Sequence, residues 1–279
     1  KLLGDLAAGK VLDDPFPKTT TERMRSYCRE VLKPFQRPLP AGAVVQQQPV
    51  EVLMLGALLK AFGDPDYAIM TQYAIGVPIG LGVNLPRTPE VFPAKVKWSL
   101  AAQPFWGGDS EKARSFKGKT RDNYPSAKEF VVAVERLLLE QEKQGRILVL
   151  PEATAREWYG DRLTIASLSA LEKGENDKGE QEVRIIHDDT TGVDVNKYIL
   201  VLDGGLNPVA SDLKTALRLQ AARLCQHFGL AVDVRGAHRI VHVRPQDWPL
   251  QACQLVPGGP VYLNKVGTFG VASASYWWG

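Results

Sequence analysis

Apolar positions follow a helical rhythm most clearly in "SAKEFVVAVERLLLEQEKQG" (126–145), where they recur every three or four residues. Ser126 and Glu129 form a capping-box pattern at its start, and Gly145 stands where a C′ glycine belongs. The short run "RILVLP" after it predicts a strand, and "VEVLMLGALLKAF" (50–62) a buried helix stopped by "GDPD". A further helix is predicted over 211–229, with Ser211 as N-cap, Gly229 as stop, and Leu213, Leu217, Leu224 and Phe228 on its apolar face. "LAVDVRGAHRIVHV" (230–243) alternates as a strand would, yet carries Asp233 near its middle. A carboxylate in such a strand is costly unless it is paired or holds a metal. Residues 1 to about 50 mix polar pieces with proline-rich connections and predict a peripheral region or linker, and 74–125 is rich in Gly and Pro.

Composition narrows the classes. The chain has 279 residues, 44% of them hydrophobic, enough to bury a sizeable core in one large or two smaller domains. A net charge of +3 is too weak a bias to argue for nucleic acid by itself. Cys28, Cys225 and Cys253 are scattered, with no CxxC pair, which argues against zinc and for a reducing, intracellular compartment, cytoplasmic or nuclear. No signal peptide is visible, and "AIGVPIGLGV" (74–83) is too short and too rich in Gly and Pro to span a bilayer, so no membrane role is expected. From Lys95 to Arg121 seven Lys and Arg stand against Asp109 and Glu111, with Trp98, Phe105, Trp106 and Phe116 interleaved. That pattern suits either a groove for a nucleic-acid backbone or a solvated loop with anchoring aromatics.

Three blocks carry candidate chemistry. In "EKGENDKGEQEVRIIHDDTTGVDVN" (172–196) a turn-rich tip precedes a short strand, presenting Lys173, Lys178 and Arg184 on an exposed finger suited to polyphosphate, or forming an ordinary charged hairpin. In the Asp233 block the carboxylate could bind Mg²⁺ through oxygen or pair with Arg235 or Arg239. In "VGTFGVASASYWWG" (266–279) small residues precede Tyr276, Trp277 and Trp278, as in a ligand surface or a tightly packed helix start.

Taken in order, these blocks resemble the reverse transcriptase (RNA-directed DNA polymerase) domain of retroelements, closest to retrotransposon-like polymerases. Arg184, Asp188 and Asn196 are similar to the family's finger pattern, "DVRGAHR" (233–239) to its first palm motif, and Thr268-Phe269-Gly270-Val271 followed by Ser273-Ala274 to its small-residue motif. The likeness covers roughly 172–279. It implies an α+β fold of fingers and partial palm, with an antiparallel sheet containing the Asp233 strand, backed by helices including 211–229, and a hairpin finger over roughly 182–202. The expected division is 1–125 as an N-terminal extension and 126–279 as fingers and palm.

The resemblance further implies template-directed nucleotidyl transfer with two metal ions, Mg²⁺ or Mn²⁺, on an RNA or DNA template with primer and deoxynucleoside triphosphates. Asp233 would ligate the metals with help from the carbonyl of Val234. Arg184, with Lys173 or Lys178, would hold the triphosphate. His238 would lie under the sugar, and Phe269 and Gly270 would line the nucleotide pocket. Two departures stand out. His238 replaces the usual Tyr or Phe, and the aromatic-x-Asp-Asp hairpin is missing, since the only Asp-Asp pairs are Asp13-Asp14 and Asp188-Asp189. The expectation is therefore a polymerase fragment inactive in isolation, or alternatively a non-catalytic nucleic-acid-binding remnant.

Overall fold

The computed structural model describes residues 4, 8, 17–36, 38, 51–86, 111–176, 178–202, 209–222, 234 and 236–278. They fall into two compact units, Lys1–Ile75 and Gly76–Gly279. No helix among the described residues is long and apolar enough to cross a membrane.

The first unit is helical, with helices Lys18–Leu32, Val52–Ala61 and Ile69–Ile75. The helix expected over 50–62 is present but only partly buried. Val52 and Ala57 are covered, whereas Leu55 and Leu58 are exposed and Phe62, its C-cap, is 82% exposed. A helix whose apolar residues run round every side cannot say which face its neighbours will cover.

In the second unit, β1 (Ile147–Leu150), β2 (Ile165–Glu175), β3 (Gln181–Asp188), β4 (Ala252–Gln254) and β5 (Val261–Asn264) form one sheet in the order β1-β5-β4-β2-β3. The fold is mixed α/β, and the sheet is mixed rather than antiparallel as expected, because β2 and β4 run parallel. The amide of Thr164 donates to the Pro249 carbonyl (2.8 Å), which sets the two chains side by side in the same direction.

Adjacent residues of β4 point to opposite faces, as a pleated strand requires. Cys253 joins a cluster with Val134 and Leu138 of the 131–143 helix, Leu168 and Tyr262. Ala252 joins Leu163, Val261, Leu263 and Ala155 of the Glu152–Tyr159 helix. Residues upstream of 126 belong to this unit too. The amides of Arg121 and Tyr124 donate to Ile165 and Leu168 of β2. Buried Asn123 donates to the carbonyls of Gln254 and Leu255 and accepts from the Leu168 amide, pegging β2 to the end of β4. Asp247, fully buried, accepts from the Ile79 amide and, in a bidentate pair, from Nε and Nη2 of Arg244, holding the 77–80 stretch in place.

The strongest helix runs as Pro125–Glu129 and Val131–Lys143, with a break at Phe130. Gly145 takes the left-handed conformation (φ 71°) expected of a C′ glycine. Ser126 is not the N-cap. Tyr124 holds that position, and the Ser126 hydroxyl instead accepts the β2 amide of Ala170 (3.2 Å), a partner from outside the helix.

Three further expectations are corrected. The hairpin of this region is β2–β3, spanning 165–188, not 182–202. Beyond β3, Asp188 caps the Thr190 and Thr191 amides, Asp194 turns left-handed (φ 63°), and Val195–Tyr198 forms a 3₁₀ turn, so the described residues 189–202 contain no second strand. The strand expected over 230–243 does not continue through its second half. Gly236 adopts φ 64° and Ala237–Ile240 winds into a 3₁₀ helix before bridges at His242 and Val243. The helix predicted from 211 begins at Ala210 and is described to Ala222, with Asp212 reaching back to the Val209 amide where Ser211 was expected to cap. Leu213 and Leu217 are exposed, so that face is not buried against the sheet. Residues 223–229, including Leu224, Cys225 and Phe228, lie outside the described residues.

Candidate functional site

A cavity of about 670 Å³ opens where the hairpin, Val234 with residues 236–239, and the 268–269 turn meet over the end of the 131–143 helix. Lys173 and Arg184 of the hairpin, Val234, His238 and Phe269 all line it. It therefore gathers candidates from three separate sequence blocks. Gly270 adjoins the lining through Phe269. Lys178 stays away from the cavity, because Asn176 accepts the Lys178 and Glu180 amides and fixes Lys178 in the hairpin's end turn. Asp233 lies outside the described residues, as does the 95–110 part of the basic stretch. In the described part, Lys117 and Lys119 are ion-paired to Asp161 and Asp194, and Phe116 packs edge-on against Tyr198.

The cavity wall is built on glycine. The Phe269 carbonyl accepts the His187 amide (3.3 Å), and a Cβ on Gly270 would sit 1.7 Å from the His187 carbonyl oxygen. Gly270 also has φ 123°, a conformation side-chain-bearing residues rarely adopt. On the other side, a Cβ on Gly267 would sit 2.4 Å from the His238 carbonyl. The turn is thus wedged between β3 and the 237–240 helix. Asn196 fastens it from outside, donating to the Gly270 carbonyl (2.6 Å) and accepting the Ala272 amide (2.7 Å). After the turn, Ala274–Trp278 is helical and Trp277 anchors it by donating to the Pro78 carbonyl (2.7 Å).

The electrostatics are one-sided. The Arg184 guanidinium carbon lies 4.1 Å from the centroid of the Phe269 ring, a cation–π contact, and the His238 ring lies 5.6 Å from the same centroid. Burial, together with the positive charges of Arg239 and Arg184, pushes the His238 pKa below its ordinary value, so its imidazole is neutral at physiological pH. No carboxylate occurs among the described lining residues, which carry Lys173, Arg184 and Arg239.

Under the cavity lies a pair that the sequence did not point to. His187, 3% exposed, directs Nδ1 to Asp189 Oδ2 (2.8 Å) and Nε2 to the Ala252 carbonyl on β4 (3.1 Å). Both ring nitrogens face acceptors, and only the doubly protonated ring donates to both. Burial opposes that charge, but the Asp189 carboxylate outweighs it and lifts the His187 pKa to about 10. The signal available in the sequence was a histidine set in β-branched residues and followed by two aspartates, "IIHDD". The first of these, Asp188, does local work. Despite partial burial, hydrogen bonds from the Tyr124 hydroxyl and the Thr190 and Thr191 amides lower its pKa to about 2.

The described residues contain no group of three His, Cys, Asp or Glu side chains able to hold a metal ion. No family model matches the chain, and no curated protein matches it either.

Proposed function

We propose that the cavity is the nucleotide pocket of a retroelement-type RNA-directed DNA polymerase, carrying out template-directed nucleotidyl transfer. One observation carries this reading. Lys173, Arg184, His238 and Phe269, named from three motifs far apart in sequence, line a single cavity whose described residues hold cations and no carboxylate. Arg184 offers a bidentate fork to phosphate oxygens and Lys173 a mobile point charge. Phe269 orients Arg184 from below, and the neutral His238 imidazole offers a hydrogen bond to the sugar. Asp233, adjacent in the chain to Val234 of the lining, is the residue that the resemblance assigns to Mg²⁺ or Mn²⁺. When bound, such ions would activate the primer hydroxyl and stabilise the leaving pyrophosphate.

The test measures deoxynucleoside triphosphate binding with and without Mg²⁺, and primer extension on an RNA template, for the wild type and Asp233→Asn. The expected result is Mg²⁺-dependent nucleotide binding that Asp233→Asn abolishes, without primer extension by this chain alone, since its sequence carries no aromatic-x-Asp-Asp pair to complete a two-metal site. Salt-sensitive nucleic-acid binding that survives Asp233→Asn, without nucleotide binding or extension, would replace this reading with that of a non-catalytic binder.

A further inference from the structure

One cation of the cavity has no role in the scheme above. Arg239 is half-buried, and its hydrogen-bond acceptors among the described residues are all neutral. Its Nε and one Nη2 hydrogen donate to Gln141 Oε1 (3.2 Å each). Nη1 donates to Asn264 Oδ1 (2.7 Å) and to the Gly267 carbonyl (3.3 Å). None of the ion pairs among the described residues includes Arg239. Burial and the nearby charge of Arg146 both work against its protonation.

A half-buried guanidinium whose described acceptors are all neutral oxygens has no counter-ion among the described residues, and a ligand anion would stabilise its charge. Its acceptors come from the 131–143 helix, β5 and the 267–268 turn, so the fork is held rigidly at the cavity wall. Of its five N–H donors, one on Nη2 has no acceptor among the described residues. Lys173 and Arg184 line the same space, so a multiply charged oxyanion suits the cavity better than a single carboxylate.

We infer that Arg239 is an anion-binding residue of this cavity, whose counter-ion is a phosphate group of the bound ligand. The inference rests on the cavity being a polyphosphate pocket but not on polymerase chemistry. Inorganic tripolyphosphate without metal is the probe, titrated by calorimetry into the wild type and Arg239→Lys, which keeps the charge and loses the fork. In parallel, phenylglyoxal labelling of Arg239 in the wild-type protein is followed by mass spectrometry with and without tripolyphosphate.

The expected result is tripolyphosphate binding that weakens about tenfold in Arg239→Lys, and labelling of Arg239 that slows severalfold when the anion is present. If Arg239→Lys fails to fold, the labelling experiment decides alone. Equal binding in a folded Arg239→Lys, labelling indifferent to the anion, or an Arg239 that never labels would each overturn the inference. Anion binding through Arg239 without Mg²⁺-dependent nucleotide binding leaves the inference standing and removes the polymerase reading. Mg²⁺-dependent nucleotide binding that is lost in Asp233→Asn, with Arg239 labelling unaffected, does the reverse.

Discussion

Replacing Asp189 by Asn leaves the shape of the His187 pair and removes its negative charge. In the wild type, the ring's pKa rises from 6.5 to about 10 when the chain folds, against the cost of burial. A raised folded-state pKa stabilises below the unfolded value of 6.5, and that stabilisation is lost as pH rises through about 10. At 1.36 kcal/mol per unit the full contribution is roughly 4–5 kcal/mol, of which about 2.5 kcal/mol should disappear between about pH 7 and 9. In Asp189→Asn the ring is neutral at pH 7 with its hydrogen bonds reversed at Nδ1, so this part of the pH dependence should vanish. Its stability at about pH 7 should then fall by roughly 3 kcal/mol. Urea unfolding followed by tryptophan fluorescence at several pH values gives both quantities. Taking the difference between the two proteins cancels the thiols and tyrosines that titrate in the same range. A variant whose stability tracks the wild type in parallel across that range would refute a charged His187.

Other outcomes follow from the same geometry. Gly270→Ala should unseat the 267–270 turn, since its Cβ meets the His187 carbonyl at 1.7 Å. Nucleotide binding should fail and thermal stability drop, and an unchanged melting temperature would show that the turn has room. Asn123→Ala removes a buried side chain that makes three hydrogen bonds to the backbone and should cost about 2–3 kcal/mol in urea unfolding. Phe269→Leu removes the ring beneath Arg184 and should weaken triphosphate binding about threefold to tenfold by calorimetry, with little change in stability because Phe269 is 42% exposed.

The sequence displayed those features that depend on local pattern. The 131–143 helix follows from its periodicity, and Gly145 from its place after the last apolar turn. Ser126 followed by Glu129 looks like a cap, but nothing local shows that the Ala170 amide of β2 will compete for the hydroxyl. The alternation over 230–243 runs on through Gly236 in sequence, but the chain turns left-handed at that residue, just where Arg239 must swing inward. Lys173 and Lys178 were equivalent as sequence. The structure separates them, one on a strand beside the cavity and the other locked in a turn by Asn176. Arg239 and the His187–Asp189 pair derive their character from partners such as Gln141, Asn264 and Ala252, which a one-dimensional pattern cannot bring together.

The order of strands in the sheet also dictates an order in time. The hairpin of β2 and β3 closes between near neighbours in the chain, whereas Ile147 of β1 must await Asn264 of β5, and β4 fills the middle only after both flanks have been synthesised. Loop closure over such separations is slow, so the hairpin is available early and the completed sheet late. On a ribosome the apolar side chains of β1 and the 131–143 helix would emerge long before Tyr262 and Leu263 arrive to cover them. Newly made chains therefore pass through an interval in which that apolar surface stays uncovered, and the Phe269 wall of the cavity is among the last parts to form.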